Sequence, residues 1–159
     1  MEKKVYTAKD IEVRELVEHI RLRPAMYVGS VDQKGLQFLL DSIRDEFLEA
    51  GSIVKIVDYE IEIQGQPLSV EMHPKANKTI LELLFTTLGT GKGPPGSWVF
   101  PILNALSENL RVETTHQDKT YQLSFSRGKL LEPMKITPAM VDSPAIHVSF
   151  VPDPAIWKL

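Results

Sequence analysis

The stretch LQFLLDSIRDEFLEAGSIVKIVDYEIEIQG, residues 36–65, changes its hydrophobic period halfway along. Up to Ala50, the apolar residues Leu36, Leu39, Leu40, Ile43, Phe47 and Ala50 form one stripe of a helix, and Gly51 supplies the stop. From Ile53 the period falls to two: Ile53, Lys55 and Val57 alternate with Val54 and Ile56, then Tyr59, Ile61 and Ile63 with Glu60 and Glu62. A helix that runs straight into strands joined by short turns predicts helices layered on a mostly antiparallel sheet. The expected class is α+β, built as a two-layer α/β sandwich.

Working outward, the 3.6-residue period also marks residues 10–21, where Ile11, Val13, Leu16, Val17 and Ile20 share a face and Arg23-Pro24 ends the pattern. Downstream, 68–72 reads as a short strand, and Thr79 with Glu82 has capping-box spacing for a third helix closed by Gly89. Residues 91–97 (GKGPPGS) form a glycine- and proline-rich loop, and 101–110 reads as a fourth helix. Strands follow at 111–115, 119–127 and 147–151, the first two joined at Gln117-Asp118.

With 159 residues, 43% hydrophobic and 25% charged, the chain has the composition of one globular domain. Eighteen basic against 21 acidic residues leave a formal charge of -3, so no general grip on a phosphate backbone follows and no direct nucleic acid binding is expected. The absence of cysteine excludes disulfides, thiolate metal sites and a cysteine nucleophile. No apolar run approaches the roughly 20 residues needed to cross a bilayer. The expected location is cytoplasmic, with no membrane partner.

Several patterns carry possible chemistry. Gly91, Gly93 and Gly96 satisfy GxGxxG, but that fingerprint needs a preceding strand and free N–H groups. A helix precedes this loop, and Pro94 and Pro95 lack the donors, so the segment reads as a connection. A Walker loop fails as well, since Gly93 follows Lys92. Asp41, Asp45 and Glu49 lie one turn apart on the helix face opposite the apolar stripe and read as a solvated acidic face. Ser42 and Glu46 fall on the border of that stripe, where a pocket between helix and sheet would open. His19, His73, His116 and His147 lack metal-ligand spacing, and no serine sits in a GxSxG elbow. Trp98, Phe100 and Trp157 read as core or interface anchors.

Residues 21–30 (RLRPAMYVGS), with Gly35-Leu36 opening a helix, resemble the RxRPGMYIG…GL opening of the ATPase domain of the gyrase B and topoisomerase IV B family. Four further stretches agree in order: residues 70–92 (VEMHPKANKTILELLFTTLGTGK), 104–107 (NALS), 125–128 (FSRG) and 147–157 (HVSFVPDPAIW). The resemblance implies a GHKL (Bergerat) fold. It implies a nucleotide site needing a general-base Glu, an Asn one turn later for Mg²⁺, an Asp for the adenine amino group and a glycine-rich lid. A gapless alignment of the helix from Gly35 puts Ser42 at the base and Glu46 at the metal ligand; a one-residue gap puts Asp41 and Asp45 there instead. The gapless register agrees with the border positions. Gln64 falls at the adenine Asp, Gln66 at an arginine of the following turn, Ser97 and Val99 at two lid glycines, and Ile146 at a threonine of the last strand.

Ser42 cannot act as a general base near neutral pH, and losing such a base costs about 10²- to 10⁴-fold in rate. The resemblance with these departures implies a gyrase-B-like domain, 10–159, whose lid has shrunk to about 91–98. It would be preceded by an arm at 1–9 and not followed by the family's transducer domain. Catalysis is expected to be lost, with no cofactor required and a protein partner or self-association in its place. The alternative is a divergent ATPase using ATP and Mg²⁺ through Glu46, or through Asp41 and Asp45. A third reading gives the remnant pocket, filled by Trp98 and Phe100, to another small ligand.

Overall fold

The computed structural model describes residues 8–89 and 93–159, with side chains described from Glu15 onward. The arm expected at 1–9 lies outside the described residues except for Ala8 and Lys9, which belong to the first helix, α1 (Ala8–Leu22). Pro24 opens a single turn, α2 (Ala25–Val28), and α3 (Gln33–Glu49) follows. The helix α3 starts three residues before the apolar stripe because Asp32 caps it, accepting the Lys34 and Gly35 N–H groups at 3.1 and 3.3 Å. Ser30 Oγ donates to the same carboxylate at 2.6 Å. Gly35 is the one residue this start tolerates, because a Cβ there would lie 1.7 Å from the Ser30 carbonyl oxygen.

The strands are β1 (Ile53–Val57), β2 (Glu60–Gln64), β3 (Ser107–His116), β4 (Lys119–Ser126), β5 (Lys129–Leu130), β6 (Lys135–Pro138) and β7 (Ile146–Pro152). They form one seven-stranded sheet in the order β1-β2-β7-β3-β4-β5, with β6 also on β4, and every described pairing is antiparallel. The two-residue period works as read: Ile61 and Ile63 are buried while Glu60, Glu62 and Gln64 are exposed. Helices α4 (Ile80–Thr86) and α5 (Val99–Ala105) complete the layer over the apolar face with α3. All seven residues of α5 are buried; six are apolar, and the seventh, Asn104, donates its side-chain amide to the Phe85 carbonyl at 3.0 Å. Its Phe100 stacks on Phe85 with ring centroids 4.5 Å apart and lies 5.7 Å from Phe47, an arrangement adding about 0.5–1.5 kcal/mol per pair beyond area burial. No described helix is long and apolar enough to cross a membrane.

Three expectations are corrected. The fourth helix runs Val99–Ala105 rather than 101–110, because the Leu106 carbonyl accepts the Asp153 N–H at 3.1 Å and the Trp157 indole N–H at 2.9 Å. Those bonds end the helix and start β3 at Ser107. No strand forms at 68–72: Thr114 Oγ1 takes the Leu68 N–H, and Met72 makes only an isolated bridge with Thr79. The third helix is capped by Thr79 as expected but stops at Thr86, since the Gly89 N–H is bound to the Ser97 carbonyl at 2.9 Å.

Candidate functional site

The border positions on α3 face the loop that precedes α5. Ser42 is half-buried and its hydroxyl donates back to the Phe38 carbonyl at 2.8 Å, a bond inside its own helix. Glu46, one turn later, is half-buried too. The backbone N–H of Gly96 faces its carboxylate, while Oε2 is buried with no hydrogen-bond partner. Burial is the largest influence and pushes this carboxyl above its ordinary value; the Gly96 N–H pulls it down and the charge of Glu49 pushes it up.

The loop reaches Glu46 because its ends are pinched. Besides the Gly89–Ser97 bond, the Ser97 N–H donates to the Pro94 carbonyl at 3.1 Å and the Phe100 N–H to the Gly96 carbonyl at 2.9 Å. Gly96 has φ +90°, and a Cβ there would lie 2.4 Å from the Phe100 ring. Ser97 and Val99 are buried within this turn. Residues 90–92, including Gly91 and Lys92 of the GxGxxG match and part of the expected lid, lie outside the described residues.

The other expected positions do not converge on Glu46 alike. Asp41 and Asp45 are exposed; Asp41 accepts the Gln37 side-chain amide at 2.8 Å and sits 3.6 Å from Arg44. Gln64 and Gln66 are exposed at and just past the end of β2, whereas Ile146 is fully buried, paired with Ile63 and Thr114. Phe100 is core, and Trp98 is 42% exposed with its ring 6.4 Å from Tyr27. Among the described residues, no group of three or more His, Asp or Glu side chains could hold a metal ion. The histidines are dispersed: His19 bonds Tyr27, His73 caps the 73–78 turn, His116 meets the Leu68 carbonyl and His147 lies 3.5 Å from Glu60.

One buried charge cluster escaped the sequence reading. Asp153, fully buried, receives Arg21 at 2.6 Å, Arg127 at 3.1 Å and the Ala155 N–H at 2.9 Å. Arg21 also donates to the Ala105 carbonyl at 2.8 Å, so α1, α5, the turn after β4 and the segment after β7 are tied at one point. The signal was available, since all three residues lie within the stretches matched to the family; pairing them needed the tertiary fold.

Helices on one face of this antiparallel sheet, with the acidic edge of α3 meeting a loop before a buried helix, make a GHKL ATPase-type fold. The 43K ATPase domain of Thermus thermophilus gyrase B, solved with an aminocoumarin, superposes with a TM-score of 0.75 at 30% identity, covering 93% of this chain and 42% of that one. In sequence, the B subunits of the type 2 topoisomerase of Aquifex aeolicus and of DNA topoisomerase 4 of Rickettsia typhi are each 33% identical over 96% of the chain. The B subunit of DNA gyrase of Thermotoga maritima is 32% identical over the same share. The chain is thus a gyrase-B-like domain, homologous to the ATPase domain of type II topoisomerase B subunits. It spans 22%, 26% and 27% of the length of these three relatives. No family model matches it.

Proposed function

We propose that this domain keeps the GHKL scaffold without ATP turnover and serves as a binding or assembly module for a protein partner or a second copy. The observation that carries this reading is the state of Glu46. The half-buried carboxylate that the family resemblance puts at the metal-ligand position has Oε2 without a partner and is faced by the Gly96 N–H of the loop standing where a lid would lie. Mg-ATP does not fit the residues present. The base position offers a hydroxyl committed to Phe38, the adenine position an exposed amide, and the last-strand position the buried apolar Ile146. Replacing a charge-assisted acceptor by a neutral one costs roughly 1.5–3 kcal/mol of binding. Calorimetric titration with Mg-ATP and with ADP, beside a phosphate-release assay, tests the reading. The expected result is no heat of binding and no turnover above background; micromolar affinity or magnesium-dependent hydrolysis overturns it.

One observation favours a second reading, a divergent ATPase. A buried carboxyl oxygen without a partner, on a group whose pKa is raised, is what a general base looks like before its substrate arrives. On that reading Glu46→Ala abolishes a measurable ATPase activity, and the finding of no activity to abolish removes it.

A further inference from the structure

The sheet ends on one side at β1, which among the described residues pairs with β2 alone. The opposite side is protected by β6, which carries Lys135 and Pro138, devices that discourage strand addition. The β1 edge has one such device, Lys55, at its centre. A two-residue turn makes Val57 and Glu60 a hydrogen-bonded pair, so antiparallel alternation points the N–H and C=O groups of Val54 and Ile56 off the sheet. Beside that edge, between β1 and α3, runs a cleft of about 440 Å³. Leu36, Leu40, Ile56 and Tyr59 line it together with the polar Gln33, Gln37, Arg44 and Asp58. An open strand edge flanked by a helix-walled cleft of mixed polar and apolar lining is an arrangement in which a peptide can add as a further strand with alternate side chains turned to the helix side.

We propose that the β1 edge beside the α3 cleft binds an extended segment of another protein, apolar at the two positions on the helix side, opposite Val54 and Ile56, and acidic at the position between them. The residues opposite Val54 and Ile56 point to the helix side of the sheet, where Ile56 lines the cleft, and the residue opposite Lys55 points to the outer face. On that face β2 already sets Glu62 against Lys55. A second copy of this chain is disfavoured, because the antiparallel register that uses all five β1 residues sets Lys55 against Lys55 at the closest pair spacing. The cleft lies on the side of α3 away from Glu46 by the helical wheel, so the proposal goes beyond the nucleotide reading and stands whichever way that is decided.

The probe is a blocked, fluorescein-labelled nonapeptide whose central five residues are threonine, valine, glutamate, valine and threonine. Saturable anisotropy is expected, with amide chemical-shift changes confined to residues 53–57 and the cleft-facing side of α3. A peptide with lysine in place of the central glutamate should bind about fivefold more weakly, and the Lys55→Glu protein should invert the preference. This variant alters an exposed side chain, and its melting curve confirms folding. No saturation at millimolar peptide, shifts centred elsewhere, or a preference that Lys55→Glu fails to invert would overturn the proposal. So would a dimer of the chain, seen by sedimentation, that Val54→Pro dissociates.

Discussion

Replacing Asp153 by alanine removes a group that ties α1, the turn after β4 and the last residues together. Three contacts go: Arg21 at 2.6 Å, Arg127 at 3.1 Å and the Ala155 N–H at 2.9 Å. The Arg21 bond and the backbone bond are sheltered and charge-assisted, worth about 1–2 kcal/mol each. The Arg127 side chain is 51% exposed, so its contact counts as a surface pair below about 1 kcal/mol. Together they predict a loss of about 3–4 kcal/mol, near the lower end for breaking a buried ion pair. For a chain of this size that lowers Tm by about 10 °C. Arg127→Ala should cost well under half as much. The pH dependence gives a second check. Burial alone would raise the Asp153 carboxyl, but the Ala155 N–H, Arg21 and Arg127 outweigh it and hold the group below its ordinary 3.8. The unfolded chain therefore takes up this proton first on acidification, so the stabilisation is present above about pH 4 and is lost below it. In Asp153→Asn the acid limb of a urea-midpoint profile becomes shallower. A loss under about 1 kcal/mol, or an unchanged acid limb, would refute the reasoning.

Three further outcomes are expected. Glu46→Gln removes the ionisation of a carboxyl whose folded pKa is raised, so it should increase Tm at pH 7, with the advantage fading as pH falls through the raised folded value and gone below the ordinary 4.5; a lower Tm at pH 7 would contradict this. Gly35→Ala drives a methyl group into the Ser30 carbonyl and should cost more than about 4 kcal/mol, read as a lost cooperative melt or absent soluble protein. Phe100→Ala should cost about 3–5 kcal/mol and Trp98→Ala under about 1 kcal/mol by chemical denaturation, since one ring is core and the other 42% exposed; equal costs would return Phe100 to a ligand pocket.

What the sequence made legible follows from how local each determinant is. The period change at Gly51 placed α3, β1 and β2, because both periods arise from side-chain burial on a single face. The Thr79 cap was readable for the same reason, its partner Glu82 being three residues away. The end of α5 was not, because nothing between Leu103 and Leu110 breaks a helix; the bonds to Leu106 come from Asp153 and Trp157, about 50 residues on. The short strands β5 and β6 have no hydrophobic alternation to announce them and are defined by pairing to β4. At the candidate site, the helical wheel placed Ser42 and Glu46 at the edge of the core and Asp41 and Asp45 in solvent, as they are found. The Gly96 amide on Glu46 could not be read, since it depends on the loop closing between Gly89 and Ser97.

The most direct test of the proposed loss of nucleotide binding is co-crystallisation of the domain with Mg²⁺ and a non-hydrolysable ATP analogue at millimolar concentration. Expected is no ordered triphosphate beside α3, with the Gly96 N–H still facing Glu46. An analogue seated between α3 and the sheet, with Mg²⁺ on Glu46 and the Gly96 contact broken, would contradict it.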